Sequence, residues 1–230
     1  MGECNTAGHS RARLHRDCAV RDTCSAVFPF RSSWFDLYIG LEETATELSI
    51  YESELVPGLF QTPGYARTII AGHQPRLDQA EVERRVALRM ARRSLLTRAV
   101  APPTLCVMLN ESILHRPVGG RRIMLEQLHR LAESCDLPNV SLRIVPFAIG
   151  FHHGVDSGPF TILRFPRTGD GKDTEPPVVY VEGITGALYL DRPHEVERYG
   201  AVVRDILRAI DDTDGAASRA LLRAAIRGLS

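Results

Sequence analysis

The 230-residue chain lacks an excess of charge of either sign and has almost no lysine. Its 28 basic residues balance its 28 acidic residues, and Lys172 is the only lysine. Proteins that bind nucleic acid without regard to sequence depend on broad positive charge. The balance therefore gives no support to that class, and we do not expect direct DNA binding.

Long apolar runs are also missing. No stretch approaches the roughly 18 consecutive apolar residues that span a bilayer, and the N-terminus has no apolar segment typical of a secretory signal. We therefore expect a cytoplasmic protein without membrane contact. The hydrophobic content of 44% is sufficient for a folded core.

Cysteine is scarce and unevenly spaced. The five cysteines form no CxxC pair, so the pattern favours neither a disulfide framework nor a zinc site. A metal cluster of Cys4, Cys18 and Cys24 with His9 and His15 is conceivable, but its spacings match no zinc finger. We predict no metal site.

The sequence contains no serine nucleophile elbow, no cysteine–histidine signature, no GxGxxG and no phosphate-binding P-loop. Hydrolases, dinucleotide enzymes and nucleotide-driven enzymes therefore have no motif support. We predict that the protein uses no cofactor.

Residues 1–32 show no sustained hydrophobic periodicity and are predicted to form an N-terminal arm. A DNA-binding helix-turn-helix module needs roughly 55 residues or more in several short helices, which this segment does not provide. Residues 33–230 are predicted to form one domain.

Periodicity within that domain alternates between helix and strand. A helix is predicted from Ser33, followed by one that begins at Thr62-Pro63, and others over 78–97, 122–135, 193–210 and 216–229. Apolar runs predict strands near 48–51, 105–109, 140–145, 160–165, 178–182 and 187–190, with a hairpin at 183–186. We expect an α+β domain with a mainly antiparallel sheet of about five strands packed with helices.

Several segments together resemble a known family. They include Val56-Pro57-Gly58, Gln61-Thr62, Glu83-Arg84-Arg85-Val86, Asn110-Glu111, Val118-Gly119-Gly120, Pro138-Asn139-Val140 and Tyr180-Val181-Glu182. In this order they resemble the C-terminal domain of actinobacterial XRE-family, antitoxin-like transcriptional regulators. The resemblance runs from Trp34 to about Leu222 and implies a domain that senses a ligand, or a small partner protein encoded nearby.

The chain departs from this family pattern in three places. It lacks the helix-turn-helix module that usually precedes the domain, and it has Arg93 where a glutamine is common. It also has Phe151-His152-His153-Gly154 where the family usually has a single histidine near a glycine. These departures weigh against direct control of transcription.

Three residues are candidates for acid–base chemistry. His152 and His153 lie in a glycine-flanked loop with Asp156 three residues on, and a neighbouring carboxylate orients an imidazole and stabilises its cation. Glu42 follows Leu41 in a family segment. Glu43 and Glu47, four residues apart on the predicted first helix, form a further carboxylate pair. Solvent exposure of these side chains is the simpler alternative for all of them.

Aromatic rings with polar tips are the candidates for a ligand pocket. The predicted lining consists of Trp34, Tyr38, Tyr65, Tyr180 and Tyr189, with Gln61, Glu111 and Glu182 as polar anchors. Ordinary core packing of each ring is the alternative.

Three functions remain open from the sequence. The first is a sensor-like domain that binds a small molecule or a partner protein, with a homodimer as one possible assembly. The second is a cofactor-independent enzyme of natural-product biosynthesis, a cyclase or isomerase, which holds a reactive conformer in the same pocket. The third, a regulator that touches DNA through its arginine-rich arm, has the least support.

Overall fold

A computed structural model of the chain describes residues 33–169 and 174–230, with side chains from Phe35 onward. The predicted N-terminal arm lies outside these residues, together with the cysteines and histidines that were considered as metal ligands. The side chain of Trp34 also lies outside them. None of the helices in the described part is long and apolar enough to cross a membrane.

The described residues form an α+β domain around a single sheet of six strands, one more than predicted. The strands are β1 (Glu47–Glu52), β2 (Thr104–Asn110), β3 (Val140–Val145), β4 (Phe160–Arg164), β5 (Val178–Gly183) and β6 (Gly186–Leu190). Their order across the sheet is β3-β2-β1-β4-β5-β6.

The sheet is mixed, so the prediction of a mainly antiparallel sheet is confirmed only for one half. β1 pairs in parallel with β2, and β2 pairs in parallel with β3. The pairings of β1 with β4, β4 with β5, and β5 with β6 are antiparallel. Parallel neighbours need a long crossover, and the helices between β1, β2 and β3 supply it.

Eight α-helices surround the sheet in the described part. They are α1 (Ser33–Thr44), α2 (Pro63–His73), α3 (Gln79–Ala91), α4 (Ser112–His115), α5 (Arg121–Ser134), α6 (His153–Ser157), α7 (Pro193–Ile210) and α8 (Ala216–Leu229). The last two helices have the predicted bounds.

Side-chain caps explain where two of these helices begin. The Thr62 side chain accepts a hydrogen bond from the backbone N–H of Tyr65 at 3.4 Å, and Pro63 occupies the first turn of α2. Asp78 accepts from the N–H of Glu81 at 2.8 Å at the start of α3. The predicted helix over 78–97 is too long, because the chain tightens into a 3₁₀ helix over Arg92–Leu96.

The first helix ends earlier than its periodicity suggests. α1 ends at Thr44, and β1 begins at Glu47 with four consecutive buried residues. Glu43 and Glu47 therefore lie on different elements, and the predicted helical pair of carboxylates is wrong. The apolar positions Ala45 and Leu48 fit helical spacing, but they belong to the linker and the strand.

The sheet has a hydrophobic core on each face. One core includes Leu48, Ile50 and Tyr180 and packs against side chains of α1, α2, α5 and α8. The other includes Tyr51 and Phe160 and packs mainly against α7. Two layers of helices thus enclose the sheet, and neighbouring residues of one strand belong to different cores.

A buried glutamine ties the helical layer to the loop before α2. Gln127 of α5 has no exposed surface. Its Nε2 donates to the carbonyl of Phe60 at 2.8 Å, and its Oε1 accepts from the N–H of Thr62 at 2.8 Å. The amide therefore satisfies two backbone groups on either side of Gln61, one of the predicted site residues.

Candidate functional site

Three predicted tyrosines meet on one face of the sheet. In the register of the strands Thr161 pairs with Tyr180, and Tyr180 pairs with Tyr189. The ring centroids of Tyr180 and Tyr189 are 5.3 Å apart. Tyr38 reaches them from α1, with its ring centroid 4.3 Å from that of Tyr180. The sequence placed these rings in one pocket, and the structure brings them together.

A buried ion pair lies next to Tyr38 in this group of rings. Arg92 donates hydrogen bonds to both carboxylate oxygens of Glu42, with distances from 2.7 to 2.9 Å. The guanidinium also lies over the rings of Phe35 and Tyr38, at 5.6 and 5.8 Å from their centroids. Glu42 is therefore bound to a permanent cation, which fits a structural role better than the acid–base role predicted for it.

The hydroxyl of Tyr38 lies within this polar environment. Burial, and after it the negative charge of Glu42, raise the pKa of Tyr38 well above its ordinary value, although Arg92 opposes them. The pKa values of Tyr180 and Tyr189 are also raised, first by burial and then by the charge of Glu182 for Tyr180. All three phenols are thus neutral at physiological pH and can donate hydrogen bonds.

Two carboxyl groups lie beside the tyrosines. Glu52 is the last residue of β1 and Glu182 precedes the last residue of β5. Alternation along each strand places them on the same face as Ile50 and Tyr180. The Tyr180 hydroxyl donates to Oε2 of Glu182 at 3.2 Å. Two acidic side chains therefore share one end of the tyrosine row.

Glu52 is the most perturbed acid of the group. Burial, and after it the charge of Glu182, raise the pKa of Glu52 to about 8. Its carboxyl group makes no hydrogen bond or ion pair within the part of the chain that the structure describes. Yet part of its surface stays accessible, and Glu182 is exposed. We use the word recess for the surroundings of the Glu52 side chain, which protein encloses on most sides but solvent still reaches.

Tyr65 is buried near Glu52. Its hydroxyl accepts a hydrogen bond from the N–H of Val56 at 3.1 Å, and its pKa is raised first by burial, with Glu52 among the smaller causes. We call the group formed by Tyr38, Glu52, Tyr65, Tyr180, Glu182 and Tyr189 the tyrosine–carboxylate site.

Gln61 lies apart from this site and supports the same loop. Its Nε2 donates to the carbonyl of Val56 at 2.7 Å, and its Oε1 accepts from Arg89 at 2.9 Å. The amide is thus occupied by the chain itself. The predicted role of Gln61 as a ligand anchor becomes that of a residue that holds Val56 and, through it, Tyr65.

Glu111 belongs to a different place, a groove between α4, α5 and α8. Its Oε2 accepts from the N–H of Phe147 at 2.7 Å, and His115 is 3.5 Å from its Oε1. The groove has a volume of about 270 Å³ and is lined mainly by apolar side chains, among them Leu114, Met124, Leu221, Ala225 and Leu229. Glu111 is therefore not brought together with the tyrosines.

The predicted histidines lie on the opposite face of the sheet. His152 is buried, its ring meets Tyr51 edge-on at 5.9 Å, and its Nδ1 accepts from the N–H of Gly154 at 3.1 Å. Burial lowers the pKa of His152, and the acidic residue that acts on it is Asp205 of α7 instead of the predicted Asp156.

The geometry of His152 is that of a neutral helix cap within the core. His153 is exposed, and its backbone N–H faces Asp205 at 3.5 Å. Neither ring shares a site with the tyrosines, so the structure does not join the predicted acid–base residues to the predicted pocket.

Trp34 lies in α1, and its side chain is outside the described part. Within that part, no three histidine, cysteine, aspartate or glutamate side chains are grouped to hold a metal ion.

The sequence missed two residues of the site. Glu52 ends a strand, two positions after Ile50, and the alternation of the strand could have placed its carboxyl beside Tyr180 had the register been known. Arg92 lies within the helix predicted over 78–97, where a charged side chain is expected to be solvated. Its position was hidden because the chain changes to a 3₁₀ helix at that residue.

The fold and the site define an α+β single-sheet domain with a group of tyrosines and two carboxyl groups on one face of the sheet. A family model matches residues 35–224, and the chain belongs to that family, which is described as a domain of unknown function (DUF5753). No curated protein and no solved structure matches the chain. The family description names neither XRE regulators nor actinobacteria, so that part of the resemblance stays a prediction.

Proposed function

We propose that this chain is a small-molecule-binding domain and that its ligand occupies the recess at the tyrosine–carboxylate site. The observation that carries the proposal is Glu52, a carboxyl group enclosed by protein, reachable from solvent and without a hydrogen-bonding partner in the described part. Enclosure by protein leaves this carboxyl group poorly solvated, which raises its pKa. A ligand that hydrogen-bonds to it would add a contact that the described side chains do not make.

The accessible side chains suit a small organic ligand. Tyr189 is only partly buried and offers ring surface for apolar contact, and Glu52 and Glu182 offer polar groups for orientation. A few convergent polar groups on aromatic walls are typical of ligand sites.

The position of α1 supports a sensing role. Tyr38 belongs to α1, whereas Tyr180 and Tyr189 belong to the β5–β6 hairpin, and the ion pair of Glu42 with Arg92 fastens α1 to the 3₁₀ helix. A ligand on these rings changes the free energy with which α1 packs on the sheet. Its occupancy can thereby be passed to a neighbouring protein or domain.

The proposal includes the role that the resemblance implies. In that role the domain senses a ligand or a small partner protein encoded nearby, as XRE-type regulators do, and it acts in the cytoplasm. Its support is the motif order in the sequence and the site described above.

The test is a ligand screen by two-dimensional amide NMR on the full chain, with a library of neutral, cationic and anionic aromatic compounds. We expect hits to shift the amide signals of Tyr180, Glu182 and Tyr189 and to lose this effect in Tyr189→Ala. Leu221→Ala, which alters the separate groove, is the control and should leave these shifts unchanged. Hits that all map to Leu114 and Leu221 would move the ligand site to the groove.

One observation favours a second candidate, the cofactor-independent cyclase or isomerase. With its pKa at about 8, Glu52 holds its proton at neutral pH and can act as a general acid. Under this alternative Glu52→Gln keeps affinity for a substrate found in the screen but loses turnover. The double variant His152→Ala, His153→Ala keeps the chemistry, because both residues lie across the sheet from the site.

A further inference from the structure

Two arginines from different elements line one small pocket. Arg93 belongs to the 3₁₀ helix over Arg92–Leu96, and Arg130 belongs to α5. The pocket has a volume of about 240 Å³ and lies between these elements and the start of α2. Its lining shares no residue with the tyrosine–carboxylate site, so the two places are separate.

The guanidinium of Arg130 is poorly satisfied by the chain itself. Its Nε is buried and has no hydrogen-bond acceptor among the described residues. Its Nη1 makes only a long contact, 3.4 Å, with Oε2 of Glu133. Because 21% of the side chain is exposed, the Nη groups are the part of this cation that can meet a ligand.

Arg93 has no carboxylate partner within residues 33–169 and 174–230. Its hydrogen bond there runs from Nη1 to Sδ of Met90 at 3.7 Å, and a thioether sulfur is a weak acceptor. Burial, and after it the charge of Arg130, lower the pKa of Arg93, although Glu133 opposes them. The two guanidinium groups are therefore close enough to repel each other.

Two carboxylates also line the pocket, but they are more exposed than the arginines. Glu133 has 68% of its side chain exposed, against 21% for Arg130. Glu126 is exposed as well and forms no ion pair in the part of the chain that the structure describes. Water screens exposed charges more strongly than enclosed ones. The charge that is poorly compensated inside the pocket is therefore positive.

The start of α2 adds to this preference for an anion. Thr62 caps the helix, Pro63 occupies its first turn, and both residues border the pocket. The N-terminus of this helix of 11 residues carries partial positive charge, which favours an anion near the first turn. Pro63 has no N–H, so its contribution is that of the helix dipole and not of a hydrogen bond.

We propose that this pocket binds a phosphate group, which accepts hydrogen bonds from the Nη groups of Arg93 and Arg130. The inference goes beyond the function proposed above and does not depend on it. Guanidinium groups match the geometry of phosphate oxygens, and three terminal oxygens allow one ligand to bridge two arginines. A phosphate monoester carries a charge of about −1.5 to −2 at pH 7, which matches two cations.

The size of the pocket and the number of its cations limit the choice of ligand. Its volume of about 240 Å³ is below the roughly 300–1,000 Å³ of sites for drug-sized molecules, so it suits a small group. A carboxylate is the other anion to consider. With one charge and two oxygens, it fits two converging guanidinium groups less well than phosphate does.

The experiment is an amide NMR titration of the full chain at pH 7 and constant ionic strength, with sodium chloride replaced stepwise by the probe. The probes are inorganic phosphate, phenyl phosphate and acetate. We expect both phosphates to cause saturable shifts at Arg93, His129 and Arg130, with an affinity about fivefold or more above that of acetate. Tighter binding of phenyl phosphate than of inorganic phosphate identifies a phosphorylated organic ligand, and equal binding identifies the free ion.

Four variants separate the contributions. Arg93→Gln should weaken phosphate binding by about fivefold or more, and Arg93→Lys, which keeps the charge, should weaken it less. Glu133→Gln should strengthen binding by about twofold or more, because it removes a carboxylate that competes for both arginines. Arg122→Gln removes a charge from an exposed position on α5 outside the pocket and should change nothing.

Three results would overturn the phosphate site. The first is a set of shifts that rise without saturation, as a general effect of ions does. The second is an equal loss of affinity in Arg93→Gln and Arg122→Gln. The third is binding of acetate as tight as that of phosphate, which would assign the pocket to a carboxylate. The signals of Tyr180 and Tyr189 report on the tyrosine–carboxylate site separately, so these results leave that proposal standing.

Discussion

Glu42 and Arg92, fifty residues apart in the sequence, form an ion pair with 2% and 11% of their side chains exposed. Removal of one partner leaves the other charge buried and unpaired, whereas replacement of both by apolar side chains often costs little. This difference in the free energy of unfolding between single and double variants identifies a buried pair, because an ion pair on the protein surface does not show it.

The first prediction concerns this pair. Arg92→Met should lower the free energy of unfolding by about 3–5 kcal/mol. The double variant Glu42→Leu, Arg92→Met should recover much of that loss. Urea denaturation followed by circular dichroism measures both. The control is Arg67→Met, which breaks the exposed pair with Glu83 and should change stability little. Equal effects of Arg92→Met and Arg67→Met would contradict a buried pair.

The second prediction concerns Gln127. Gln127→Leu removes a donor and an acceptor from two buried backbone groups, those of Phe60 and Thr62. Each unsatisfied group costs about 1–3 kcal/mol. Gln127→Glu keeps the acceptor for Thr62 but loses the donor, and its loss of stability also includes burial of a charge. A change below about 0.5 kcal/mol in Gln127→Leu, measured by thermal and urea unfolding, would show that the loop does not depend on this residue.

The third prediction concerns Gly154, which packs closely against His152, the residue that caps α6. A Cβ at Gly154 would lie 2.7 Å from Cζ of Tyr51 and 2.8 Å from the ring of His152. Gly154→Ala should therefore destabilise the protein by about 1–3 kcal/mol. The matched control is Gly40→Ala in α1, where a Cβ meets nothing within 4 Å. That substitution should be neutral or stabilise by up to about 1 kcal/mol. Equal melting temperatures for the two variants would count against the packing of His152 on Tyr51.

The fourth prediction concerns pH. The pKa of Glu52 is about 8 in the folded chain and near 4.5 in the unfolded chain. Between these values the folded state binds more protons, so the contribution of Glu52 is fully present below pH 4.5 and is lost as the pH rises through 8. Glu52→Gln should therefore stabilise the protein at pH 7, and more strongly at pH 9, but not at pH 4.5.

The measurement for this prediction is urea unfolding at several pH values. Glu126→Gln, at an exposed site, should leave the pH profile unchanged. If Glu52→Gln and the parent protein show the same dependence on pH between 5 and 9, Glu52 is an ordinary solvated carboxyl group.

Much of the secondary structure follows from local chemistry that the sequence displays. Thr62 before Pro63 predicts the start of α2, and the apolar spacing over 193–210 and 216–229 predicts α7 and α8 with the correct bounds. The hairpin between β5 and β6 follows from Gly183 and Gly186, which face each other across the turn. These features depend on a few neighbouring residues only.

The parallel half of the sheet depends on more distant relations. The order β3-β2-β1 arises because helices connect successive strands. The sequence contains this alternation of helix and strand, but the cluster of strands after residue 140 favours an antiparallel sheet. The end of α1 was missed for a related reason. Burial of β1 on both faces overrides the helical spacing of Ala45 and Leu48.

The tyrosines of the candidate site and Glu182 could be predicted from the sequence, but Glu52 could not. Tyr38, Tyr180 and Tyr189 could be proposed from residue type alone, because buried tyrosines commonly carry polar tips into sites. The pKa of Glu52 is raised first by burial and then by Glu182, 130 residues away, and only strand register brings the two carboxyl groups together. His152 looked reactive beside His153, but its ring caps α6 within the opposite core.

The central claim, that Glu52 lies in a recess next to Glu182, is tested most directly by NMR titration of the Glu52 carboxyl carbon in the full chain. We predict a titration midpoint near pH 8, and a lower midpoint in Glu182→Gln because one like charge is removed. A midpoint near 4.5 in both proteins would contradict the recess and, with it, the ligand site placed there.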